Sequence, residues 1–201
     1  MARNNGGWAE LANTKSEFSW NEYGDLVIKH ATIMLGETVN GPWSNFSGSR
    51  TPMNPQGGKR YIKVVLSETV ANDLIEKGWN IKSMEPLDDQ DYTLYYTEVN
   101  LNMDSKYEPT VLLGTNWNGK AKLTRLHGDM VNRLDKMRFA DVCMVIHPSE
   151  NRPDSKYRYK GYCNHIELIQ REQRSNMIGN YEGYEYCDSG ADSPDDEEIS
   201  F

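Results

Sequence analysis

The chain has 201 residues, of which 37% are hydrophobic, and a formal net charge of −8. This length suits one domain with extensions or at most two small ones, and the low hydrophobic fraction predicts long loops and at least one disordered end. Eight of the 30 acids lie in residues 175–201, which contain no Lys or Arg, so residues 1–174 balance 22 acids against 22 bases. The acidic net charge therefore does not exclude nucleic-acid binding by residues 1–174.

The cysteine pattern and the apolar runs bear on the compartment. Cys143, Cys163 and Cys187 form an odd set without a close pair, which is typical of a reducing environment and indicates no disulfide framework. No apolar run approaches the ~20 residues of a membrane span, and the first residues lack the apolar stretch of a signal peptide. We therefore expect a soluble, cytoplasmic protein that does not enter a membrane.

In chain order, the first predicted features are an arm, a strand and a long loop. Residues 1–24 are polar and form either a flexible arm or a segment that lies across the domain surface. Residues 26–35 are rich in β-forming side chains and predict a strand that ends at Gly36. Residues 36–58 predict a loop long enough to be functional or disordered. Two alternatives stay open for its large aromatics, Trp43 and Phe46: they plug one end of the core, or they face a ligand.

Residues 59–66 alternate in character and predict a strand with one face on the core and the other in solvent. The predicted core face consists of Ile62, Val64 and Leu66, and the predicted solvent face of Lys59, Tyr61, Lys63 and Val65. A short helix should follow, with Ser67 as its N-cap and Gly78 as its C-terminal stop.

The remaining elements are mostly strands. Residues 79–84, 92–103, 110–113 and 142–146 predict strands, and a last strand runs on from Lys156 to Ile169 after a turn. In the strand 92–103 one face should carry Tyr95, Val99, Leu101 and Met103, and the outward face Tyr96, Glu98, Asn100 and Asn102. Asn118-Gly119 indicates a hairpin, and residues 129–137 predict a second short helix. The pattern favours a mainly β protein, a small and partly open β-barrel like an OB-fold with two short helices, over a doubly wound sheet.

Catalytic and metal-binding patterns are weak. The four histidines are scattered, and none has a second ligand at metal spacing. No phosphate-cradling glycine loop, nucleophile elbow or Cys-x-x-Cys motif is present. We therefore predict that the chain is not an enzyme and needs neither a metal nor a cofactor.

Three separate stretches, residues 59–63, 117–125 and 156–160, interleave bases with flat side chains, and this pattern favours nucleic-acid binding. Single-stranded nucleic acid exposes its bases, so its binders combine aromatic faces for stacking with cations that follow the phosphates. Any one stretch is as well explained by ordinary β-propensity and a solvated face, but three of them in a neutral domain favour binding. The candidate residues are Trp43, Phe46, Arg50, Lys59, Arg60, Tyr61, Lys63, Trp117, Lys120, Lys122, Arg125, Lys156, Tyr157, Arg158, Tyr159 and Lys160.

The last fourteen residues carry six acids and no base. Such a tail, tethered to a cationic groove, competes with nucleic acid at high effective concentration. When the groove fills, the tail is released, and its apolar tip can dock on another protein. The candidate partner-binding residues are Asp195, Asp196, Glu197, Glu198, Ile199 and Phe201.

These residues carry a resemblance to a known family. The tip Asp195–Phe201 resembles the C-terminal tip of single-stranded DNA-binding proteins from bacteria and phages, although Ser200 stands where the bacterial tip usually has Pro. The middle resembles a phage-encoded group of these proteins at Asn45-Phe46-Ser47-Gly48, at residues 58–66 and at residues 78–82. The resemblance implies an OB-like fold, single-stranded DNA as partner, a role in phage replication or recombination, and recruitment of replication or recombination proteins by the tail.

The predicted organisation is an N-terminal arm (1–24), an OB-like domain (25–170), and a linker with a disordered acidic tail (171–201). The protein would act in the host cell cytoplasm, as a monomer or a homo-oligomer. Two alternatives stay open: an acidic DNA mimic that inhibits a host factor, and a metal-dependent nuclease.

Overall fold

The computed structural model describes residues 14–36, 43–52, 54–85, 93–117 and 120–171, and for residues 116–117 and 120–121 it describes the backbone alone. Within these ranges the chain forms nine strands and two helices. The strands are β1 (Glu17–Trp20), β2 (Leu26–Lys29), β3 (Tyr61–Leu66), β4 (Ile81–Met84), β5 (Leu94–Asn100), β6 (Thr110–Trp117), β7 (Lys120–Leu126), β8 (Phe139–Glu150) and β9 (Tyr159–Gln170). The helices are α1 (Glu68–Glu76) and a 3₁₀ helix, η1 (Gly128–Lys136). The predicted mainly β fold with two short helices is confirmed.

All nine strands belong to one sheet, in the order β1-β2-β8-β9-β5-β3. β4 pairs with β5, and the β6–β7 hairpin joins the sheet through β9. β9 runs parallel to β5 and β6, and the other pairs are antiparallel. β9 is therefore the junction between the strands around β3 and the β6–β7 hairpin.

The sheet curls because the chain after β2 passes from β8 to β3, two strands that lie far apart in the strand order. His30 has a positive φ of 51°, which is uncommon for a non-glycine residue and ends β2 at Lys29. Beyond this turn the Ala31 N–H donates to Val142 of β8, while Thr32 and Met34 bond to β3. The predicted single strand over residues 26–35 is thus wrong: it is a short strand followed by a bridge between β8 and β3. No continuous ladder closes the sheet in the described residues.

The predicted arm contributes an edge strand. Within residues 14–24, the part of this segment that the structure describes, β1 pairs antiparallel with β2, from Glu17 opposite Lys29 to Trp20 opposite Leu26. The Ser16 hydroxyl also donates to the His30 carbonyl. Residues 14–24 therefore lie across the surface of the domain and are not a flexible arm.

Both helices follow local rules. Ser67 caps α1, accepting a hydrogen bond from the Val70 N–H at 3.4 Å, and Gly78 follows its end with φ 88°. The second helix is a 3₁₀ helix whose buried side chains are Val131 and Leu134, three residues apart. This spacing is that of a 3₁₀ helix, and the neighbouring Met130 is only partly buried against the core.

The main core lies between the curled sheet and the two helices. It includes Ile28, Val64, Leu74, Val131 and Ile166, each at most 1% exposed. No helix within the described ranges is long and apolar enough to cross a membrane. Residues 1–13 and the linker and acidic tail beyond residue 171 lie outside the described residues.

Candidate nucleic-acid interface

The loop between β2 and β3 is held by buried polar side chains. The Asn54 amide donates to the carbonyls of Gly48, Ser49 and Lys59, and the Asn45 amide donates to the Ser49 carbonyl. Both asparagines are buried. These bonds satisfy loop carbonyls that would otherwise be costly to bury, so the described part of the predicted long loop has a defined conformation.

Phe46 belongs to the core. Its side chain is 0% exposed, and its backbone N–H donates to the Asp135 carboxylate at 2.7 Å. The Ser47 N–H donates to the same carboxylate at 3.0 Å, which joins the loop to η1. The structure therefore corrects the assignment of Phe46 as a nucleic-acid-binding residue, because a fully enclosed ring offers no face to a base.

β3 is buried on both faces. Tyr61, Lys63 and Val65, which the alternation places in solvent, are 3%, 1% and 0% exposed. A second small apolar cluster of Met34, Val65, Leu94 and Tyr96 lies on this face, with Trp43 packed against it. The predicted solvent face is therefore wrong for these three residues, since alternation does not show whether a second layer covers a strand.

This face nevertheless gathers charge. Register places Lys63 opposite Glu98 of β5 and Lys82 of β4 opposite Tyr96. Lys59 forms an ion pair with Glu98, and the Lys82 ammonium lies 3.5 Å from the second Glu98 oxygen. We call Lys59, Lys63 and Lys82 around Glu98 the lysine cluster. It combines three basic side chains with one acidic side chain.

Two aromatic rings enclose the innermost ammonium group. The Lys63 Nζ lies 5.4 Å from the Tyr61 ring centroid and 5.5 Å from that of Tyr96, within cation–π range. The Lys59 Nζ lies 5.5 Å from the Tyr61 ring centroid. The rings thus hold the two ammonium groups rather than presenting faces for stacking.

The cluster shifts the protonation equilibria of its members. Burial lowers the pKa of Lys63, opposed by the Glu98 charge and reinforced by the charges of Lys82 and Lys59. Burial alone would raise the pKa of Glu98. The hydrogen bond and charge of Lys59 and the charges of Lys82 and Lys63 outweigh it and hold that pKa below its usual value. Glu98 is therefore ionised at neutral pH and offsets one of the lysine charges.

The exposed members are the ones a ligand can reach. The Lys59 and Lys82 side chains are 53% and 39% exposed, whereas Glu98 is 19% exposed. A phosphate that approaches from solvent meets these two ammonium groups, with the field of Lys63 behind them. Glu98 is the group with which it must compete.

Because a phosphate and Glu98 would compete for the same two lysines, substitution of Glu98 should change phosphate binding. If the lysine cluster binds the phosphates of a nucleic acid, Glu98→Gln removes a competing anion. Oligo-dT should then bind more tightly, and the log–log salt dependence should steepen by up to about 0.7, the value for one further phosphate. The measurement is an oligo-dT titration over a salt series. Glu167→Gln is the matched control, because Glu167 contacts His165 on β9 and no lysine of the cluster. Weaker binding by Glu98→Gln would contradict an inhibitory role for this carboxylate.

Three other candidates lie outside the lysine cluster: Arg60 of the first basic stretch, and Arg50 and Trp43 of the loop. The Arg60 guanidinium, with its side chain 10% exposed, pairs with Asp104 at 3.1 Å and Asp129 at 2.6 Å. Arg50 is exposed. Trp43 is half-buried, and its ring lies so close to Gly36 that an added Cβ there would be 2.0 Å from it. Arg60 and Trp43 are thus committed to contacts within the fold.

The second basic stretch lies elsewhere, on the β6–β7 hairpin. Trp117 pairs with Lys120 across the hairpin, as the Asn118-Gly119 signal predicts, although residues 118–119 and the side chains of Trp117 and Lys120 lie outside what the structure describes. Lys122 and Arg125 are exposed, but their odd separation along one strand puts them on opposite faces. The predicted basic surface of this stretch is therefore divided between two faces, beyond β9 from the lysine cluster.

The third stretch enters β9 beside the end of α1. The Arg158 guanidinium lies 4.9 Å from the Tyr159 ring centroid, and the Lys156 Nζ lies 5.2 Å from that of Tyr157. Both rings are half-buried, and Lys156 and Lys160 are exposed. Trp79 packs against Tyr159, with ring centroids 6.5 Å apart. This stretch keeps the exposed cation-and-ring character that the sequence predicts.

The comparison with known families follows this geometry. Residues 25–176 match the family described as "Putative phage ssDNA-binding domain". The chain belongs to this family. The match includes β2 to β9 and so the whole lysine cluster, whereas β1 precedes it.

Solved structures and curated proteins add less than the family match. The chain is similar to the single-stranded DNA-binding protein from bacteriophage Enc34, at 9% identity and a TM-score of 0.42, over 84% of this chain and 96% of that one. It is also similar to the same phage protein in complex with ssDNA, at 10% identity and a TM-score of 0.43, over 79% and 97% of the two chains. No curated protein matches this member of the phage ssDNA-binding domain family.

Three residues of the candidate interface, Lys82, Tyr96 and Glu98, are not among the binding residues that the sequence predicts for this family member. Lys82 lies in the stretch 78–82 that carries the resemblance, but nothing local distinguishes it from a solvated lysine. Tyr96 and Glu98 belong to the predicted outward face of β5, and only the pairing with β3 brings them to Lys63. No cluster of three or more potential metal ligands occurs among the described residues.

Proposed function

We propose that this chain is a non-enzymatic protein that coats single-stranded DNA, without sequence preference, during phage DNA replication or recombination. Membership of the phage ssDNA-binding domain family carries the proposal. The excess positive charge of the lysine cluster supports it, because phosphate neutralisation supplies most of non-specific affinity. A protein of this kind acts in the cytoplasm of the host cell.

In this mechanism the backbone phosphates bind Lys59 and Lys82, and Glu98 gives up its ion pairs to them. The half-buried rings of Tyr157 and Tyr159 supply stacking faces next to exposed cations. Stacking is worth about 1–3 kcal/mol per base and is tolerant of sequence, because every base has a π-face. The same two interactions, phosphate neutralisation and stacking, account for binding without readout of base edges. The OB-fold is the architecture we propose for this curled sheet.

A gel-shift experiment with labelled oligo-dT and a matched duplex, with and without Mg²⁺, tests the proposal. We expect the single strand to be bound in preference to duplex, more weakly as salt rises, and to remain intact. No binding at low salt, or a preference for duplex, would refute it. Degradation of the strand once metal is added would instead favour the nuclease alternative, and absence of binding even without the tail would favour the DNA mimic.

We further propose that the acidic tail recruits replication or recombination proteins and competes for the DNA site. Deletion of residues 192–201 should tighten oligo-dT binding, because five acids that compete with phosphate are removed. Phe201→Ala keeps those acids and should leave DNA affinity unchanged while it abolishes capture of partner proteins. Titration and affinity capture of the two variants side by side separate the roles. Unchanged affinity with intact capture after the deletion would leave the tail a solubilising segment.

A further inference from the structure

A ring-lined pocket lies at the end of the sheet where β1, the end of α1 and the start of β9 meet. Its volume is about 470 Å³, within the range of about 300–1,000 Å³ typical of ligand pockets. Trp20 of β1, Trp79 and Tyr159 line it, and Lys77 and Arg158 are the basic residues of its lining. Trp20 belongs to the predicted arm, and neither it nor Trp79 is among the candidates from sequence.

The rings form a graded series from the core to solvent. Trp79 is 3% exposed and packs edge-on against Trp20 at 6.2 Å and tilted against Tyr159 at 6.5 Å. Trp20 itself remains 41% exposed. The buried ring thus holds two partly free aromatic rings at the mouth of one pocket, an arrangement suited to a flat, aromatic ligand.

The charges in the pocket favour an anionic ligand. Lys77 and Arg158 pair with Asp73 and Glu150, and these partners are at least half exposed, so the ion pairs are weak and exchange readily for phosphate. Glu76 is the acid in the lining. Two cations beside aromatic faces match a base with its phosphates.

The position of the pocket connects it with the lysine cluster. The Arg158 and Tyr159 N–H groups both donate to the Gly78 carbonyl, which holds β9 beside Trp79. Trp79 lies only three residues before Lys82, about 10 Å along an extended chain, but this odd separation puts the two side chains on opposite faces. β4 pairs only with β5 among the described strands, so a DNA strand bound at the lysine cluster would reach the pocket by passing round the free edge of β4.

We propose that this pocket holds a stacked nucleobase of the single strand that the lysine cluster binds, so that β1 takes part in DNA binding. This inference rests on the proposed function and extends its binding site to a residue outside the family match. The strand enters past Lys82, places a base against Trp20 and Tyr159, and sets its phosphates near Lys77 and Arg158.

The test compares Trp20→Leu with Tyr23→Leu in the full chain, over oligo-dT of increasing length. Tyr23 is the matched control, since it is 79% exposed in the turn after β1 and does not line the pocket. We expect Trp20→Leu to weaken binding about 5- to 150-fold, the effect of one lost stacking contact, and only for oligonucleotides long enough to reach the pocket. Tyr23→Leu should bind like the unsubstituted protein.

A second measurement needs no substitution. Oligo-dT containing 5-iododeoxyuridine, irradiated with the unsubstituted protein, should cross-link to peptides that contain Trp20 or Tyr159. Equal affinities of the two variants, or cross-links confined to other peptides, would overturn the inference while leaving the proposed function intact. Absence of oligo-dT binding by the unsubstituted protein would refute both.

Discussion

Replacing Lys59 and Lys82 together by Gln should weaken single-stranded DNA binding about 25-fold at 0.1 M salt and reduce the log–log salt slope by about 1.4. The reason is counterion release: each phosphate neutralised on a single strand contributes a slope of about 0.7, which is about fivefold in affinity at that salt concentration. These two lysines are the exposed members of the lysine cluster. The measurement is fluorescence anisotropy with oligo-dT over a salt series.

Lys29→Gln is the control for this double variant. Lys29 is an exposed lysine of β2, which β8 and β9 separate from β5, so its replacement should change neither the affinity nor the slope appreciably. The proposal that the lysine cluster contacts phosphates fails if the double variant keeps the full salt slope. A lower affinity with an unchanged slope would show that the lysines act through the fold instead of through phosphates.

Phe46→Ala should lower the free energy of unfolding by about 3–5 kcal/mol, the usual cost of truncating a fully buried phenylalanine. The ring is completely enclosed, and its backbone is tied to Asp135 of η1, so the surrounding structure has little freedom to collapse into the cavity. Urea unfolding followed by tryptophan fluorescence measures the change. The fraction that remains folded should bind oligo-dT with unchanged affinity.

Tyr107→Ala provides the comparison for Phe46→Ala. Tyr107 is 84% exposed, so its truncation should change the free energy of unfolding by no more than about 0.5 kcal/mol. A Phe46→Ala protein that is as stable as the unsubstituted chain but has lost DNA binding would show that Phe46 acts in binding. It would then have to leave the core to do so.

Features that depend on neighbouring residues are the ones sequence predicts here. Ser67 and Gly78 bound α1 correctly, because a cap bonds to N–H groups within the same turn and a positive φ is a property of one residue. The hairpin is predicted by Asn118-Gly119, and the two flanking strands pair as expected. The predicted inner face of β5 holds for Val99 and Leu101, which lie in the core, but the opposite face is not wholly exposed, since Tyr96 is buried there.

Features that depend on distant partners are not predictable in this way. Trp20 appears in a polar segment, and only the pairing of β1 with β2 carries it to the pocket at β9. Residues 26–35 look like one continuous strand, but His30 interrupts it: β2 and Ala31 bond to β8, whereas Thr32 and Met34 bond to β3. The second helix lies where the sequence predicts a helix, but it is a 3₁₀ helix. Packing against the core decides which of its side chains are buried, and the sequence alone does not show this packing.

β3 illustrates which features the sequence determines and which depend on the tertiary structure. Its residues alone are enough to make it a strand with Ile62 and Val64 in the core, since extended backbone and side-chain period are local properties. The sequence likewise suffices to show that residues 1–174 are formally neutral, so the acidic net charge does not prevent them from binding an anion. Whether Lys63 lies in solvent or between two tyrosine rings is decided by what covers the strand, namely Trp43 and the side chains of β5. Burial is a property of the assembled layers, so only the tertiary structure could convert a basic strand into a lysine cluster around Glu98.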